Sequence, residues 1–326
     1  MEDRKIIGIT MGDPASIGPE ITVKALADQS IYEECRPIVV GDACVLEAAL
    51  KIAGHEEMKV RAVKDVRDAV FTHGTIDVLD MGLVSMDELV RGQVSAMCGD
   101  AAFRYVEKVI ELAMDGQVDA TVTNAFNKEA VNLAGHHYSG HTEIYADLTG
   151  TKNYTMMLAH ENMRVVHVST HVSLREACDR VKKQRVLDVI RIGDKACREM
   201  GIENPRIAVA GLNPHSGEHG LFGQEEIQEI IRPLRLPGQR ESGQRALCPR
   251  IPCSPKPGAA GMTSWWPCIM TRDTSPLRWW ALSMTRKSRP GTRWPASTSP
   301  WGFPLSVCLW TMERPLTRRE PEQPAS

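Results

Sequence analysis

The histidines are the residues of this sequence best suited to chemistry, because several of them are grouped in short loops. Residues 135–143 read GHHYSGHTE, with three His within six positions. A surface turn seldom needs so many imidazoles, so we predict that this loop binds a ligand. His141 and Thr142, at the start of the following predicted helix, are the leading candidates. The alternative is an ordinary polar turn.

Two more histidines follow predicted strands. His171 ends the string STH after one strand, and His215 lies in the string NPHSGE after another. The carboxyl ends of parallel strands meet at one edge of a sheet, so two neutral imidazoles there could converge on a divalent metal. A lone loop histidine is more often structural or merely exposed, so a metal site needs a third ligand.

Two further loops carry weaker signals. Residues 11–20, MGDPASIGPE, follow a strand and open a helix, so their backbone N–H groups could hold an anion. We favour an ordinary strand-to-helix turn there. Residues 123–129, TNAFNKE, place Lys128 just past a strand. Its ammonium either pairs with a substrate carboxylate or phosphate or is simply solvated, and the sequence leaves both alternatives open.

These loops need a scaffold, and the sequence predicts an α/β fold. Short apolar runs alternate with amphipathic stretches, which is the pattern of a largely parallel sheet covered on both faces. Residues 100–115 have helical spacing, and residues 173–200 form one long helical region that Ser173 caps and Gly201 ends. The predicted strands are 5–10, 37–40, 75–79, 119–123, 155–159, 164–168 and 207–210.

The composition of the sequence changes near residue 233. All 7 Trp and 15 of the 20 Pro lie beyond that point, and residues 233–326 carry 14 Lys and Arg against 5 Asp and Glu. The preceding residues carry 25 Lys and Arg against 36 Asp and Glu, so the net charge of −2 is the sum of −11 for residues 1–232 and +9 for residues 233–326. No helical or alternating apolar period survives in the later part, so we do not expect it to fold natively.

A shift of reading frame explains this change better than a second domain does. Back-translated and read one base earlier, residues 262–276 give YDVVVAMYHDQGHIP and residues 292–316 give roughly DSVAGVNITLGLPLIRVSVDHGTAF. Both strings resemble the strands and loops of an α/β enzyme. We predict a frameshift between Pro233 and Pro237, an in-frame α/β region over 1–232 and a frameshifted tail over 233–326. A basic, Trp-rich nucleic-acid arm is the disfavoured alternative.

Composition also excludes several classes of protein. No run of 18 apolar residues is present, so no segment is expected to span a membrane. The first ten residues, MEDRKIIGIT, do not have the pattern of a secretion signal. The 9 Cys form no CxxC pair. We therefore expect a reduced, cytoplasmic protein with buried thiols and with no membrane or nucleic-acid partner.

Four segments together resemble one enzyme family: GITMGDPASIGPE, NKEAVNLAGHHYSGHTE, VSTHVSLREA and AVAGLNPHSGEHGLFGQEE. They are similar to the 4-hydroxythreonine-4-phosphate dehydrogenases, and most similar to the branch acting on D-threonate or D-erythronate 4-phosphate. The resemblance runs in frame from about residue 5 to 232. It implies a homodimer of two-domain α/β/α subunits of the isocitrate and isopropylmalate dehydrogenase type, with an active site in the interdomain cleft.

The resemblance also implies roles for individual residues. The substrate contacts of the family correspond to His141 and Thr142, and its first two metal ligands correspond to His171 and His215. The third ligand is the first His of the recovered string YHDQGH, which this chain does not carry. No catalytic group and no NAD contact is assigned to a residue of this chain.

The reaction implied by the resemblance is an oxidative decarboxylation that uses NAD and a divalent cation, such as Zn, Mg, Mn or Co. Its substrate is a phosphorylated 3-hydroxy acid, D-threonate 4-phosphate or D-erythronate 4-phosphate. One alternative is a 4-hydroxy-L-threonine 4-phosphate dehydrogenase of pyridoxal phosphate biosynthesis, and another is an inactive frameshifted product. The codon of the third metal ligand straddles Ile269 and Met270. A GxGxxG nucleotide motif is absent.

Overall fold

The computed structural model describes residues 4–160 and 163–230, together with the backbone of two later strands. These residues form two compact units, one over residues 4–152 and one from residue 153 onward. Apart from those two strands, the predicted tail over 233–326 lies outside the described residues, so the boundary at 232 stays a prediction. Within the described ranges, every helix is too short or too polar to cross a lipid bilayer.

The first unit alternates strands and helices, as predicted. Its strands are β1 (Ile6–Thr10), β2 (Arg36–Gly41), β3 (Lys59–Val63), β4 (Thr75–Asp80) and β5 (Ala120–Thr123). Its helices are α1 (Gly18–Leu26), α2 (Gln29–Glu34), α3 (Ala43–Ala53), α4 (Ala96–Met114), α5 (Lys128–Leu133) and α6 (His141–Leu148), with a 3-10 turn at Val66–Asp68.

The sheet of the first unit is parallel throughout, in the order β3-β4-β2-β1-β5. Residues 37–41 of β2 are all buried, although side chains alternate between the two faces of a strand. Both faces of the sheet are therefore covered, which confirms the predicted arrangement for this unit. Thr10 pairs with Thr123, so the loops after β1 and β5 leave the sheet side by side.

The edge strand β3 was not predicted from the sequence. Its side chains are mostly exposed or half-buried, and only Val63 is buried. A strand of this kind has neither a continuous apolar run nor a clear alternation. The pattern of apolar residues therefore predicts the central strands of the sheet but not this edge strand.

Helix α4 is longer than the helix predicted at 100–115. It begins after Ser95, whose hydroxyl accepts a hydrogen bond from Cys98 N at 3.1 Å and so caps the helix. Gly99 allows α5 to approach closely, because a Cβ there would collide with the carbonyl group of Ala130. Tyr105 and Val109 of α4 are fully buried in the core of the unit.

The second unit contains strands β6 (Tyr154–His160), β7 (Met163–His167), β8 (Arg206–Val209), β9 (Cys268–Arg272) and β10 (Val307–Met312). Helices α7 (Leu174–Arg180) and α8 (Lys183–Glu199) lie between β7 and β8 in sequence. A 3-10 segment at Pro214–Gly220 and a π-helical turn at Glu226–Ile230 follow β8.

The second sheet differs from the prediction of a largely parallel sheet. Its order is β10-β6-β7-β9-β8, and each neighbouring pair is antiparallel. Only residues 161 and 162 separate β6 from β7, and so short a connection can join antiparallel strands but not parallel ones. Strands β7 and β8 nevertheless run parallel to each other, because both are antiparallel to β9 between them.

The helical region predicted at 173–200 begins and ends as expected. The hydroxyl of Ser173 accepts a hydrogen bond from Glu176 N at 3.2 Å, so it caps α7. Gly201, with φ of +86°, follows the end of α8. Both terminal signals were local, which is why the sequence was enough to locate them.

The helical region consists of two helices, because the chain breaks between α7 and α8. The side chain of Val181 is buried at the break. Glu229 Oε2 accepts a hydrogen bond from Lys183 N at 2.7 Å and satisfies the free amino end of α8. The break is therefore stabilised by a residue far away in sequence.

Candidate active site

The turn after β1 is held by its own hydrogen bonds. Asp13 N donates to Ala125 O at 3.1 Å. Within the turn, Ala15 N donates to the Asp13 carboxylate at 2.8 Å and Ser16 N donates to the Asp13 carbonyl at 3.1 Å. These three N–H groups already have acceptors within the chain, and the choice between an anion site and an ordinary connection stays a prediction. Burial raises the pKa of Asp13, which is 3 % exposed.

The turn after β1 packs directly on the loop after β5. Gly12 has φ of +80°, and a Cβ there would lie 2.5 Å from Ala125 O. Asn124 joins the same elements: its Nδ2 donates to Thr10 O at 3.0 Å and to Thr22 Oγ1 at 2.6 Å. The sequence analysis gave Asn124 no role of its own, yet its side chain fixes the geometry of this sheet edge.

Two of the three histidines in the 135–143 loop make structural contacts. His136 Nε2 lies 2.8 Å from Asp100 Oδ1, and its ring stacks on Phe103 with the centroids 3.8 Å apart. The exposed His137 places Nδ1 3.3 Å from Asn132 Oδ1. The density of histidine in the loop therefore overstates the number of imidazoles available to a ligand.

His141, the third histidine, begins α6 and is held in a half-buried position. Its ring centroid lies 4.1 Å from that of Phe126, and its Nε2 is buried with no hydrogen-bond partner among the residues described. Burial lowers the pKa of His141 to about 4, a backbone hydrogen bond with Asn124 opposes this shift, and the charge of Lys128 adds to it. The imidazole is therefore neutral at pH 7.

Two other polar side chains accompany His141 in the first turn of α6. Thr142 is 9 % exposed, and Glu143 Oε2 is buried without a hydrogen-bond partner in the described part of the chain. Buried polar atoms almost always have partners, so this turn is suited to receiving a polar molecule. The predicted pair His141 and Thr142 thus lies together on one element.

His171 and His215 both belong to the second unit, at the same edge of its sheet. His167 and Val209, the last residues of β7 and β8, pair with consecutive residues of β9. One strand separates the two ends, so they lie roughly 10 Å apart. Both histidines are exposed, and both have left-handed backbones, with φ of +54° and +51°.

His215 opens an unusual left-handed turn. Residues 215–219 all have φ between +40° and +76°. Residues other than glycine avoid this region at a cost of roughly 1–2 kcal/mol each, so the turn must be supported from outside. Glu226, which is 2 % exposed, supplies this support: its Oε1 accepts from Asn213 N at 2.6 Å and its Oε2 from Asn213 Nδ2 at 2.9 Å.

His167 and Glu226 are two residues of this edge that the sequence analysis missed. His167 Nδ1 is buried and has no partner within the described ranges. Burial lowers the pKa of His167, a backbone hydrogen bond with Met156 opposes the shift, and the charge of His171 adds to it. His167 lies inside a predicted strand, and Glu226 in a run of Glu and Gln, so neither stood out.

The second unit does not complete a metal site with the residues described. No group of three or more His, Cys, Asp or Glu side chains in residues 4–160 and 163–230 is placed to hold a metal ion. The predicted third histidine falls on the codons of Ile269 and Met270. Their backbone belongs to β9, and their side chains lie outside the described residues.

Comparison with known proteins identifies the family. The family model described as pyridoxal phosphate biosynthetic protein PdxA matches residues 33–249. The chain belongs to the PdxA family. A Symbiobacterium thermophilum member, which carries the provisional name D-threonate 4-phosphate dehydrogenase, is 46% identical over 246 residues, a match that covers 74% of this chain and 73% of that protein.

Solved structures of the PdxA family agree with this assignment. A crystal structure of a 4-hydroxythreonine-4-phosphate dehydrogenase from Burkholderia phymatum is 45% identical, with a TM-score of 0.66 over 74% of this chain and 73% of that one. The corresponding Klebsiella pneumoniae enzyme is 42% identical, with a TM-score of 0.66 over 71% and 70%. The predicted family and α/β fold class are confirmed, and this PdxA-family chain is an oxidoreductase of the dehydrogenase class.

Proposed function

We propose that this chain is an NAD-dependent dehydrogenase that oxidatively decarboxylates D-threonate 4-phosphate or D-erythronate 4-phosphate. The dehydrogenase assignment is carried by the 46% identity to the relative named for D-threonate 4-phosphate, and the substrate is proposed from the name of that relative. His141 and Thr142 are the proposed substrate contacts, since they share the first turn of α6 and the Nε2 atom of His141 is buried without a partner in the described chain. A homodimer in the cytoplasm is part of the proposal.

The proposed reaction has two stages. NAD, when bound, would supply the acceptor for the hydride of the carbinol carbon, whose hydroxyl proton is released; the resulting 3-keto acid would then lose its carboxylate as carbon dioxide, and the enolate left behind would take up a proton. The turn after β1, where doubly wound sheets commonly hold a nucleotide pyrophosphate, uses the N–H groups of Asp13, Ala15 and Ser16 internally. We therefore assign no NAD contact to that turn.

Metal dependence is proposed for a chain that carries the third histidine. A divalent cation bound by the three histidines would stabilise negative charge on the substrate oxygens. His171 and His215 supply two imidazoles, whereas catalytic zinc sites usually have three protein ligands. The left-handed turn that carries His215 supports a functional role, since strained backbone clusters at active sites. The residues described do not complete the site, so we derive no step through a metal from them.

We further infer that a frameshift between Pro233 and Pro237 removed the third histidine. The match to the Symbiobacterium thermophilum relative covers only 73% of that protein, and the family match ends at residue 249, somewhat beyond the predicted boundary. The abrupt rise in Trp and Pro after residue 233 supports the same inference. If the shift exists in the cell, the chain is an inactive product, which is the second candidate function.

The alternative substrate is 4-hydroxy-L-threonine 4-phosphate. The solved relative named for that substrate is 45% identical, which differs little from the 46% of the relative named for D-threonate 4-phosphate. Overall identity therefore does not choose between a substrate with a hydroxyl and one with an amino group next to the carboxylate. A direct substrate comparison is needed.

Two measurements test the proposal. Sequencing the DNA across the codons for residues 225–245 decides whether the frame is shifted. The chain as written and a frame-corrected chain are then assayed for NADH absorbance with D-threonate, D-erythronate and 4-hydroxythreonine 4-phosphates and added divalent cation. We expect turnover of one substrate by the corrected chain alone. Failure of the corrected chain with all three would refute the dehydrogenase proposal, and turnover by the chain as written would refute the inactive product.

A further inference from the structure

Among the residues that the structure describes, Lys128 has no carboxylate partner, and its loop lies against the candidate substrate site. Its side chain is exposed and forms no ion pair with the residues described, unlike Lys5 and Lys64, which pair with aspartates. The backbone that carries it is fixed, because Asn127 Oδ1 accepts hydrogen bonds from Glu129 N at 2.8 Å and from the next N–H at 3.2 Å. Lys128 therefore extends from a rigid support.

The same loop contacts the first turn of α6. The ring of Phe126, two residues before Lys128, lies 4.1 Å from the ring of His141. Asn124, at the start of the loop, donates from its side chain to Thr10 O at the end of β1 and to Thr22 Oγ1 in the middle of α1. These contacts place the loop that carries Lys128 against the first turn of α6, where His141 lies.

The charges of these two residues are unequal. Burial and the positive charge of Lys128 lower the pKa of His141 to about 4, against the opposing hydrogen bond with Asn124. A neutral imidazole hydrogen-bonds to a ligand but brings no charge to an anion. In the described part of the chain, the positive charge that acts on His141 is that of Lys128.

We propose that Lys128 binds an anionic group of the substrate, its phosphate or its carboxylate, while the neutral His141 hydrogen-bonds the same molecule through the buried Nε2. The inference rests on the proposed function only in requiring an anionic substrate. Lys128 would then determine the specificity for an anionic substrate through its charge, while His141 contributes a hydrogen bond. An ammonium paired with such an anion contributes a charge-assisted hydrogen bond, which is stronger than a neutral one.

The test follows the ring proton signal of His141 by NMR in the full chain, with His141→Gln used to assign it. Inorganic phosphate and unphosphorylated D-threonate serve as separate probes of the phosphate and carboxylate arms. We expect one of these anions to shift the His141 signal. Lys128→Gln should raise the dissociation constant of that anion about tenfold, while Lys128→Arg should change it by no more than about threefold. Lys24→Gln, which removes an exposed charge from α1, is the matched control.

Two results would overturn the inference. One is a Lys128→Gln chain that binds both anions as the unchanged protein does. The other is a His141 signal that responds to neither anion. The readout does not depend on turnover, so it separates the two proposals: anion binding that needs Lys128 in a frame-corrected chain without dehydrogenase activity would retain this inference and remove the proposed function.

Discussion

The side chain of Glu226 holds Asn213 through two hydrogen bonds, one from the backbone N at 2.6 Å and one from Nδ2 at 2.9 Å. Asn213 immediately precedes the left-handed segment that carries His215, and Glu226 is 2 % exposed. One buried carboxylate thus supports a stretch of unfavourable backbone and the candidate metal ligand on it.

Replacing Glu226 with Gln tests this support. The new amide can accept only one of the two hydrogen bonds and brings its own N–H groups towards Asn213, so the free energy of unfolding should fall by about 1–3 kcal/mol in a urea titration. The matched control is Glu229→Gln. Its half-buried carboxylate accepts from Lys183 N, which an amide oxygen can still do, so we expect a change within about 0.5 kcal/mol. Equal losses would contradict the assigned role of Glu226.

Gly12→Ala should destabilise the first unit through both backbone strain and collision. Its φ of +80° is unfavourable for alanine, and the new Cβ would lie 2.5 Å from Ala125 O. We expect a loss of roughly 3 kcal/mol in thermal or urea unfolding. Gly54→Ala isolates the strain, because Gly54 has φ of +73° with nothing within 4 Å, and it should cost about 1–2 kcal/mol. The contact with Ala125 is unimportant if the two variants behave alike.

Asn124→Asp removes the amide donors that join β5 to β1 and α1. The carboxylate would face Thr10 O and cannot donate to it, so we expect the free energy of unfolding to fall by about 1–3 kcal/mol. Asn132→Asp removes an exposed donor, which reaches Lys128 O at 2.7 Å, and should have a smaller effect. A larger loss at Asn132 would show that the hydrogen bonds of Asn124 are not the stronger link.

The stability of the protein should fall in acid partly because of His141. Its pKa of about 4 in the folded chain is below the ordinary value of 6.5, so between these values the unfolded chain binds more protons. Stability therefore decreases as the pH falls from about 6.5 towards 4. His141→Gln should make this decrease shallower, as measured by urea titrations at pH 7.5 and 4.5. An identical decrease in both proteins would contradict a neutral, buried His141.

In a frame-corrected chain, His215→Gln should lower metal-dependent turnover by at least about 100-fold, because a ligand is lost. His219→Gln changes another exposed histidine of the same left-handed turn and should retain most of the activity. Assays across a range of metal concentrations distinguish weak metal binding from a folding defect. If His219→Gln alone abolishes turnover, the family correspondence has selected the wrong histidine.

The parts of the fold that could be predicted depend on local signals. The run PIVV at 37–40 is typical of a strand buried on both faces, and Ser173 is a typical helix cap. The edge strand β3 has no such signal. The break between α7 and α8 depends on Glu229, whose partner lies 46 residues away, and no local pattern contains that information.

The candidate site was predictable to a similar extent. Histidines after strand ends are visible in sequence, so His171 and His215 could be selected. The sequence could not show which histidines of the 135–143 loop make structural contacts, because the partner of His136 is Asp100, 36 residues earlier. The support from Glu226 was equally hidden, since it depends on a hydrogen-bond geometry that only the folded chain displays.

The strand order of the first sheet has a consequence for synthesis. Its strands all come from residues 6–123, so the sheet can assemble on the ribosome before the codons near residue 233 are translated. A frameshift at that position would therefore alter a nascent chain whose amino-terminal half has already folded. The fate of such a product would be decided by chaperones and proteases that act on its later part.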